Sequence, residues 1–465
     1  MKYMQELSRI ADEVWNHPEP GFLEKESSRI QRSFLKEQGF EITENIADTM
    51  TGYSASWGSG KPVIAFLGEF DALYGLGQEA DCSEYHPDGN EMGHGCGHHL
   101  LGTGAIGAAL MVRDYLKETG REGTVIVYGC PAEESGSGKA YMARDGVFKD
   151  TDIALTWHPS TIHAVATGSS QSCIQCYFRF HGIASHAAGS PEKGRSALDA
   201  VELMDIGVNY LREHMESTDR VHYAITNSGG KSPNVVQAEA EVKYLIRSTA
   251  NSKCRKLYER VVNIAKGAAL MTETSLDVIF DEGLSNTVIN ETLEKVMEQS
   301  FTECGAPVYT EEERAYAKKF HDSYEMPETI DDIPVYVKDK RKLLNNMRTS
   351  DLCDYIVEVN SSDICEMGST DVGDVSWVVP TATLNTACYS YGAGAHSWQW
   401  VAQGKSSIAH KGMYKAAEVM ARTAEKLFED PSLIEQAKAE FKERLMGESY
   451  ECLIPEEIKP HVIGD

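Results

Sequence analysis

The stretch "GHGCGHHLLG" (residues 93–102) sets three histidines and a cysteine among glycines and leucines. His94, Cys96 and His98 alternate with Gly93, Gly95 and Gly97, residues that let a backbone turn tightly and approach a ligand closely. Imidazole and thiolate are the borderline and soft donors preferred by zinc and its neighbours. The stretch therefore reads as a metal-binding turn. The competing reading, a glycine-rich loop with incidental histidines, stays open on these ten residues alone.

The flanking chain alternates in type. Residues 4–16 and 26–38 carry helical periodicity, "FEITENI" (40–46), "GYSASWG" (52–58) and "PVIAFLG" (62–68) read as strands, and a helix is expected over about 100–118. The strand "GTVIVYG" (123–129), a short helix and "DIALTWH" (152–158) follow. Strands separated by helices of this length predict a layered α/β domain. Between residues 173 and 284 the order changes to βαββαβ, the ferredoxin-like pattern. The expected organisation is one α/β domain of residues 1–172 and 285–465, with residues 173–284 inserted. Residues 305–368 carry a helical run (310–321), the acidic turn "MPETIDDIP" and the basic cluster "KDKRK", and read as a solvated surface element.

Composition narrows the function classes. The chain has 465 residues, 44 Lys and Arg against 71 Asp and Glu, and a formal charge of −27. That balance argues against a nucleic-acid or anionic-membrane partner, and an anionic substrate would need a local cation. No stretch approaches the ~20 apolar residues of a membrane span, and the N-terminal segment lacks a signal-peptide core. Eleven cysteines scattered without such a signal read as reduced thiols, so a cytoplasmic protein is expected.

Three further clusters sit at predicted strand ends, where open α/β sheets hold their ligands. "YGCPAEESGSGK" (128–139) places Glu133 beside Glu134. Two adjacent carboxylates repel unless a cation intervenes; one could then coordinate while the other takes a proton from activated water. A solvated acidic turn is the alternative. His158 in "TWHPS" and His396 in "GAGAHSWQW" complete the pattern. Cys96, His98, Glu134, His158 and His396 form a mixed N/O/S set large enough for two metals. Two ions ~3.5–4 Å apart can activate one water and polarise a carbonyl.

"GEFDAL" (68–73), "HGCGHH" (94–99), "PAEE" (131–134), "HGIASHAAGSP" (181–191) and the late His396 together resemble the dinuclear-metal aminoacylase/carboxypeptidase amidohydrolases. "GRSALDAV", "VHYAITNSGG", "STDVGDVSW" and "SIAHKGM" extend the likeness over almost the whole chain. The resemblance implies a phosphorylase/hydrolase-like metallopeptidase catalytic domain with an inserted ferredoxin-like lid and dimerisation domain. It implies two divalent ions, Zn or Mn, held by Cys96, His98, Glu134, His158 and His396, with the thiolate bridging. Glu133 would be the general base and Asp71 would orient a ligand imidazole. His186 would reach a partner subunit's site and steady the oxyanion, while Asn234 and Arg247 would bind substrate, the arginine gripping its α-carboxylate.

The expected substrate is an N-acyl amino acid, with p-aminobenzoyl-glutamate favoured and another acyl amino acid or a dipeptide as the alternative. A non-catalytic metal-binding member of a heteromer is the rival of another class. The expected assembly is a homodimer, or a heteromer with a related subunit, through the lid. One departure stands out: the family usually has Asp directly after Cys-Gly-His, and here it is His99. Asp371 and Asp374 could support the metal shell or a substrate amine, or serve only as turn formers. His163, His181, His214, His222 and His410 are expected to be structural, and Cys173 and Cys176 are not expected to form a redox pair.

Overall fold

The continuous apolar run near residue 63 predicts a strand covered on both faces, and the computed structural model, which describes residues 3–462, has one there. β1 (Glu41–Glu44), β2 (Tyr53–Ser59), β3 (Val63–Glu69), β4 (Gly123–Cys130), β5 (Ile153–Ser160) and β6 (Ala164–Val165) join the later strand Thr381–Ala387 in one sheet. Its spatial order is β1-β2-β4-β3-β5-(Thr381–Ala387)-β6. The four central strands run parallel, and the flanking pairs are antiparallel. β3 is buried along its whole length.

Helices α1 (Met4–Trp15), α2 (Lys25–Glu37) and α3 (His98–Thr119) pack with the long helix Ser407–Glu429 on one face. α4 (Gly138–Arg144) and the short helix Val372–Ser376 cover the other. The first crossover from β3 leads through α3 to β4, and the second leads through α4 to β5 on the opposite side of β3. Such a reversal opens a crevice at the carboxyl ends of the strands. Register levels those ends: Glu69 lies opposite Cys130, and His158 opposite Asn385.

α3 lies unusually close to the sheet because its inner face is made of small residues. A Cβ on Gly104 would come within 2.6 Å of the Trp157 indole, and one on Gly102 within 2.5 Å of the Glu69 carbonyl oxygen. The helix begins at His98, two residues earlier than the sequence pattern indicates, so His98 and His99 form its first turn.

The inserted unit comprises β7 (Ser172–His181), α5 (Ala197–Leu211), β8 (Arg220–Asn227), β9 (Glu239–Ser248), α6 (Asn251–Thr272) and β10 (Ser275–Leu284). Its antiparallel sheet has the order β8-β9-β7-β10 and a hydrophobic core of its own against the two helices. The C-terminal segment straps it to the main body. Leu453 packs into the inserted core, while Ile454 packs with Phe22 and Tyr141.

α7 (Glu291–Cys304) resumes the main body. The solvated reading of 305–368 is corrected here, while the helical run expected at 310–321 is present. α8 (Glu311–His321) and α9 (Lys340–Thr349) belong to this segment, and Val337, Leu343, Leu344, Met347 and Val357 form a small core with Tyr391. Lys338, Arg341 and Lys342 of "KDKRK" do face water, with Lys338 paired to Glu358 at 2.7 Å.

Gly102→Ala is expected to lower stability by about 1–3 kcal/mol through overpacking, despite alanine's better helix propensity. Thermal melting of the variant checks this; an unchanged midpoint would mean that α3 can move off β3 at no cost.

Candidate dinuclear metal site

Each arm of the site is held by backbone that its sequence permits. Gly97, with φ +79°, starts α3, and a Cβ there would lie 2.5 Å from the Tyr389 hydroxyl. The chain leaves β4 through Pro131 and Ala132, and Ala132 adopts a left-handed φ of +57° before Glu133 and Glu134. Glu24, fully buried, holds this turn: its carboxylate accepts from Ala132 N at 2.8 Å and from the Thr51 hydroxyl at 2.6 Å. Burial and Asp71 push Glu24 up to about 8.

Asp71, just past β3, joins two arms. Its Oδ1 lies 2.7 Å from His98 Nδ1, and its Oδ2 accepts from Glu134 N at 2.9 Å. His158 at the end of β5 donates from Nδ1 to the Pro159 carbonyl at 2.7 Å, which directs Nε2 to within 3.3 Å of Cys96 Sγ. His396 sits on the loop after Thr381–Ala387, its backbone N–H donating to Gly95 O at 2.8 Å and its Nε2 3.2 Å from Glu134 Oε1.

The donor atoms fall into two triplets that share one sulfur. Cys96, His98 and His158 make the first, and Cys96, Glu134 and His396 the second, with the atoms of each within 4.8 Å of one another. A third triplet joins Glu69, His98 and Glu133. His98 Nε2 and Glu134 Oε1 are buried without a well-aligned hydrogen bond, their near neighbours being Glu69 Oε2 and His396 Nε2, each at 3.2 Å, and a further ligand would complete them. Thiolate, imidazole and carboxylate in triplets of three suit divalent ions that keep an open position. These residues fit a pair of metal ions, with Cys96 common to the first two triplets.

The surrounding charge is dense and mostly negative. Lys139 is fully buried, with Nζ 2.7 Å from Glu69 Oε1 and 2.5 Å from Asp371 Oδ1. Burial opposes its charge, but Asp371 and Glu69 hold it protonated. Burial likewise works against the Glu69 charge, yet Lys139, His98 and His158 outweigh it and hold that carboxyl below its ordinary value. Glu133 is pushed well above the usual carboxylate range by burial and by Glu69, Glu134 and Asp371. Cys96 is raised by burial, against the pull of His98, with Glu134 adding to the rise. Cations on the ligand atoms would act against both of these shifts.

Glu133, Asp71, Cys96, His98, Glu134, His158 and His396 are thus brought together. His186, Asn234 and Arg247 are not part of this chain's cluster. His186 is exposed, its Nδ1 accepting from Ala188 N and Gly189 N, and it forms a backbone bridge beside Asn234. Arg247 is half-buried on β9 between Cys173 and Arg220, without an ion pair among the described residues. His99 turns away from the cluster, its Nε2 donating to Gly404 O at 2.9 Å and its ring 4.9 Å from that of His94. Asp374 anchors Ser285, accepting from its N–H at 3.0 Å and its hydroxyl at 2.6 Å. His163 is buried between Tyr309 and the Ala387 N–H, and all eleven cysteines are free.

Sequence reasoning passed over Glu24, Glu69 and Lys139. The last two stand inside "GEFDAL" and "GSGK", but nothing in the sequence reveals that they meet.

Residues 65–456 match Peptidase family M20/M25/M40, and the chain belongs to that family. It is a metal-dependent amidohydrolase. It is 45% identical over 461 residues to one of the subunits of the p-aminobenzoyl-glutamate hydrolase of Escherichia coli (strain K12), covering 98% of this chain and 96% of that protein. It is 29% identical to the Xaa-Arg dipeptidase of Mus musculus over 83% of this chain and 74% of the other. Among solved structures, the aminobenzoyl-glutamate utilization protein from Klebsiella pneumoniae aligns with a TM-score of 0.59 at 17% identity, over 91% of this chain and 96% of that one. A dinuclear metal-binding peptidase of the M20 family from Bacillus subtilis aligns with a TM-score of 0.57, also at 17% identity, over 92% and 99%. No helix among the described residues is long and apolar enough to cross a membrane.

Asp71→Asn is expected to weaken metal binding by about 10–100-fold, because the amide orients His98 and the Glu134 loop less well. Competition with a chromogenic chelator measures this; unchanged affinity would mean that His98 is held by other contacts.

Proposed function

We propose that this chain hydrolyses the amide bond of an N-acyl amino acid, with p-aminobenzoyl-glutamate as substrate and p-aminobenzoate and glutamate as products. The observation that supports this best is the pair of three-donor sets sharing Cys96 with Glu133 beside them, a carboxylate left outside both Cys96 triplets. Similarity over nearly the whole chain to part of an aminobenzoyl-glutamate hydrolase supports the substrate. Divalent ions at these ligands, Zn or Mn, would supply positive charge to polarise the amide carbonyl and acidify water.

Glu133 takes the proton from the attacking water and returns it to the leaving nitrogen as the C–N bond breaks. Asp71 holds the His98 ring, and Lys139 keeps Glu69 engaged beside it. The inserted unit acts as lid and assembly surface: Arg247 receives the α-carboxylate, Asn234 binds substrate, and His186 reaches the site of a second subunit. That second subunit is either another copy or a related chain, and the assembly is cytoplasmic. A non-catalytic role is disfavoured, since a chain without chemistry has no need for Glu133 and a full ligand set together. Dipeptide hydrolysis is the second reading, favoured by the likeness to Xaa-Arg dipeptidase.

Purified chain alone is expected to hydrolyse p-aminobenzoyl-glutamate, to lose activity on chelation and to regain it with Mn²⁺ or Zn²⁺. Glu133→Gln is expected to lower kcat about 10³-fold with metal content unchanged. Near-normal turnover by that variant would refute the proton-transfer role, and an inactive wild-type chain with two bound metals would point to another substrate or a required partner.

A further inference from the structure

Glu69, Glu133, Glu134 and His158 open onto a cavity of about 390 Å³, and among the described residues no lysine or arginine lines it. Its wall includes Ile289, Tyr336 and Val372, apolar and aromatic surface suited to a flat acyl group. It also includes Glu294, in the first turn of α7 and only 8% exposed. Glu294 Oε2 accepts from the Thr167 hydroxyl at 3.0 Å and the Ser361 hydroxyl at 2.8 Å. Its other oxygen has no donor among the described residues. The cation whose charge reaches it, Arg444, is engaged by Glu440 and Asp363, each at 2.7 Å.

These facts orient the substrate. Beyond the metal ligands, a carboxylate entering this cavity would meet Glu294 and Glu366 and no lysine or arginine among the described residues, a costly burial. The amino-acid half must therefore lie outside it, on the side of the inserted unit, where Arg247 has no ion pair among the described residues. The acyl half occupies the cavity. A buried carboxylate, fixed through one oxygen by two hydroxyls and with the other oxygen unclaimed, is a built acceptor for N–H.

We propose that Glu294 determines acyl-group specificity by accepting a hydrogen bond from an amine carried on the acyl half, an arylamine in the case of an aminobenzoyl group. Thr167 and Ser361 position its carboxylate. This rests on the hydrolase reading above and adds which end of the substrate is recognised, and by what.

The test compares kcat/KM for p-aminobenzoyl-glutamate and benzoyl-glutamate, which differ only in the amine, on the metal-loaded wild type, Glu294→Leu and Glu294→Gln. The wild type is expected to favour the amine-bearing substrate by at least about 10-fold, since a site built to hydrogen-bond a polar group discriminates against its absence. Glu294→Leu is expected to bring the ratio to about 1, with benzoyl-glutamate turnover kept within about 3-fold. Glu294→Gln, which retains an acceptor oxygen, should fall between and serves as the readout if the leucine variant does not fold. A wild-type ratio near 1, or a ratio unchanged in the variants, overturns the proposal. If the wild type cleaves neither substrate, the substrate reading has failed, and calorimetric binding of the uncharged p-aminobenzamide against benzamide decides the matter. Tighter binding of the amine-bearing amide that is lost in the variants supports Glu294, and equal binding overturns it.

Discussion

Asp71 binds two pieces of chain that have no other reason to meet. One oxygen holds the His98 ring at the start of α3, and the other holds the backbone of Glu134 after β4. Because β3 supplies Asp71 from between β4 and β5, a single carboxylate at the crevice sets the distance between the glycine-rich histidine motif and the paired glutamates. Glu24 does the same for the turn behind it, accepting from Ala132, whose left-handed backbone aims Glu133 inward. A non-glycine residue in that conformation is strained, and it persists here because the buried hydrogen bond over-determines it.

Charge is the second constraint. Glu69, Glu133 and Asp371 crowd around one buried lysine while Glu134 and Asp71 stand near His98, so the region is short of positive charge as the chain alone provides it. Lys139 neutralises the rear of the cluster, between Glu69 and Asp371, and leaves the front to His98, His158 and His396. Metal ions at the front are the natural complement. His98 Nε2 and Glu134 Oε1, which lack well-aligned hydrogen bonds, lie on that side.

The inserted unit is built to be separate and yet linked. It has its own core, but Leu453 from the C-terminal segment fills part of that core while the next residue packs against Tyr141 of the main body. Ser137, in the same loop as the paired glutamates, donates to Glu282 at 3.0 Å across the junction. The loop that carries Glu133 is therefore in direct contact with β10 of the inserted unit.

Local sequence determined a good deal. The metal-avid residues, the strand-end positions of Glu133, Glu134 and His158, and the βαββαβ order of the insertion follow from side-chain chemistry and from periodicities of 2 and 3.6, which are properties of neighbours along the chain. The packed layer within 305–368 was hidden because charged residues are interspersed with its apolar ones. Only tertiary structure decided that Cys96 belongs to both triplets, that Lys139 meets Glu69 and Asp371, and that Glu294 shares a cavity with Glu133. Those relations join residues tens to hundreds of positions apart, through strand order and register. No local pattern encodes which loops the sheet will bring side by side.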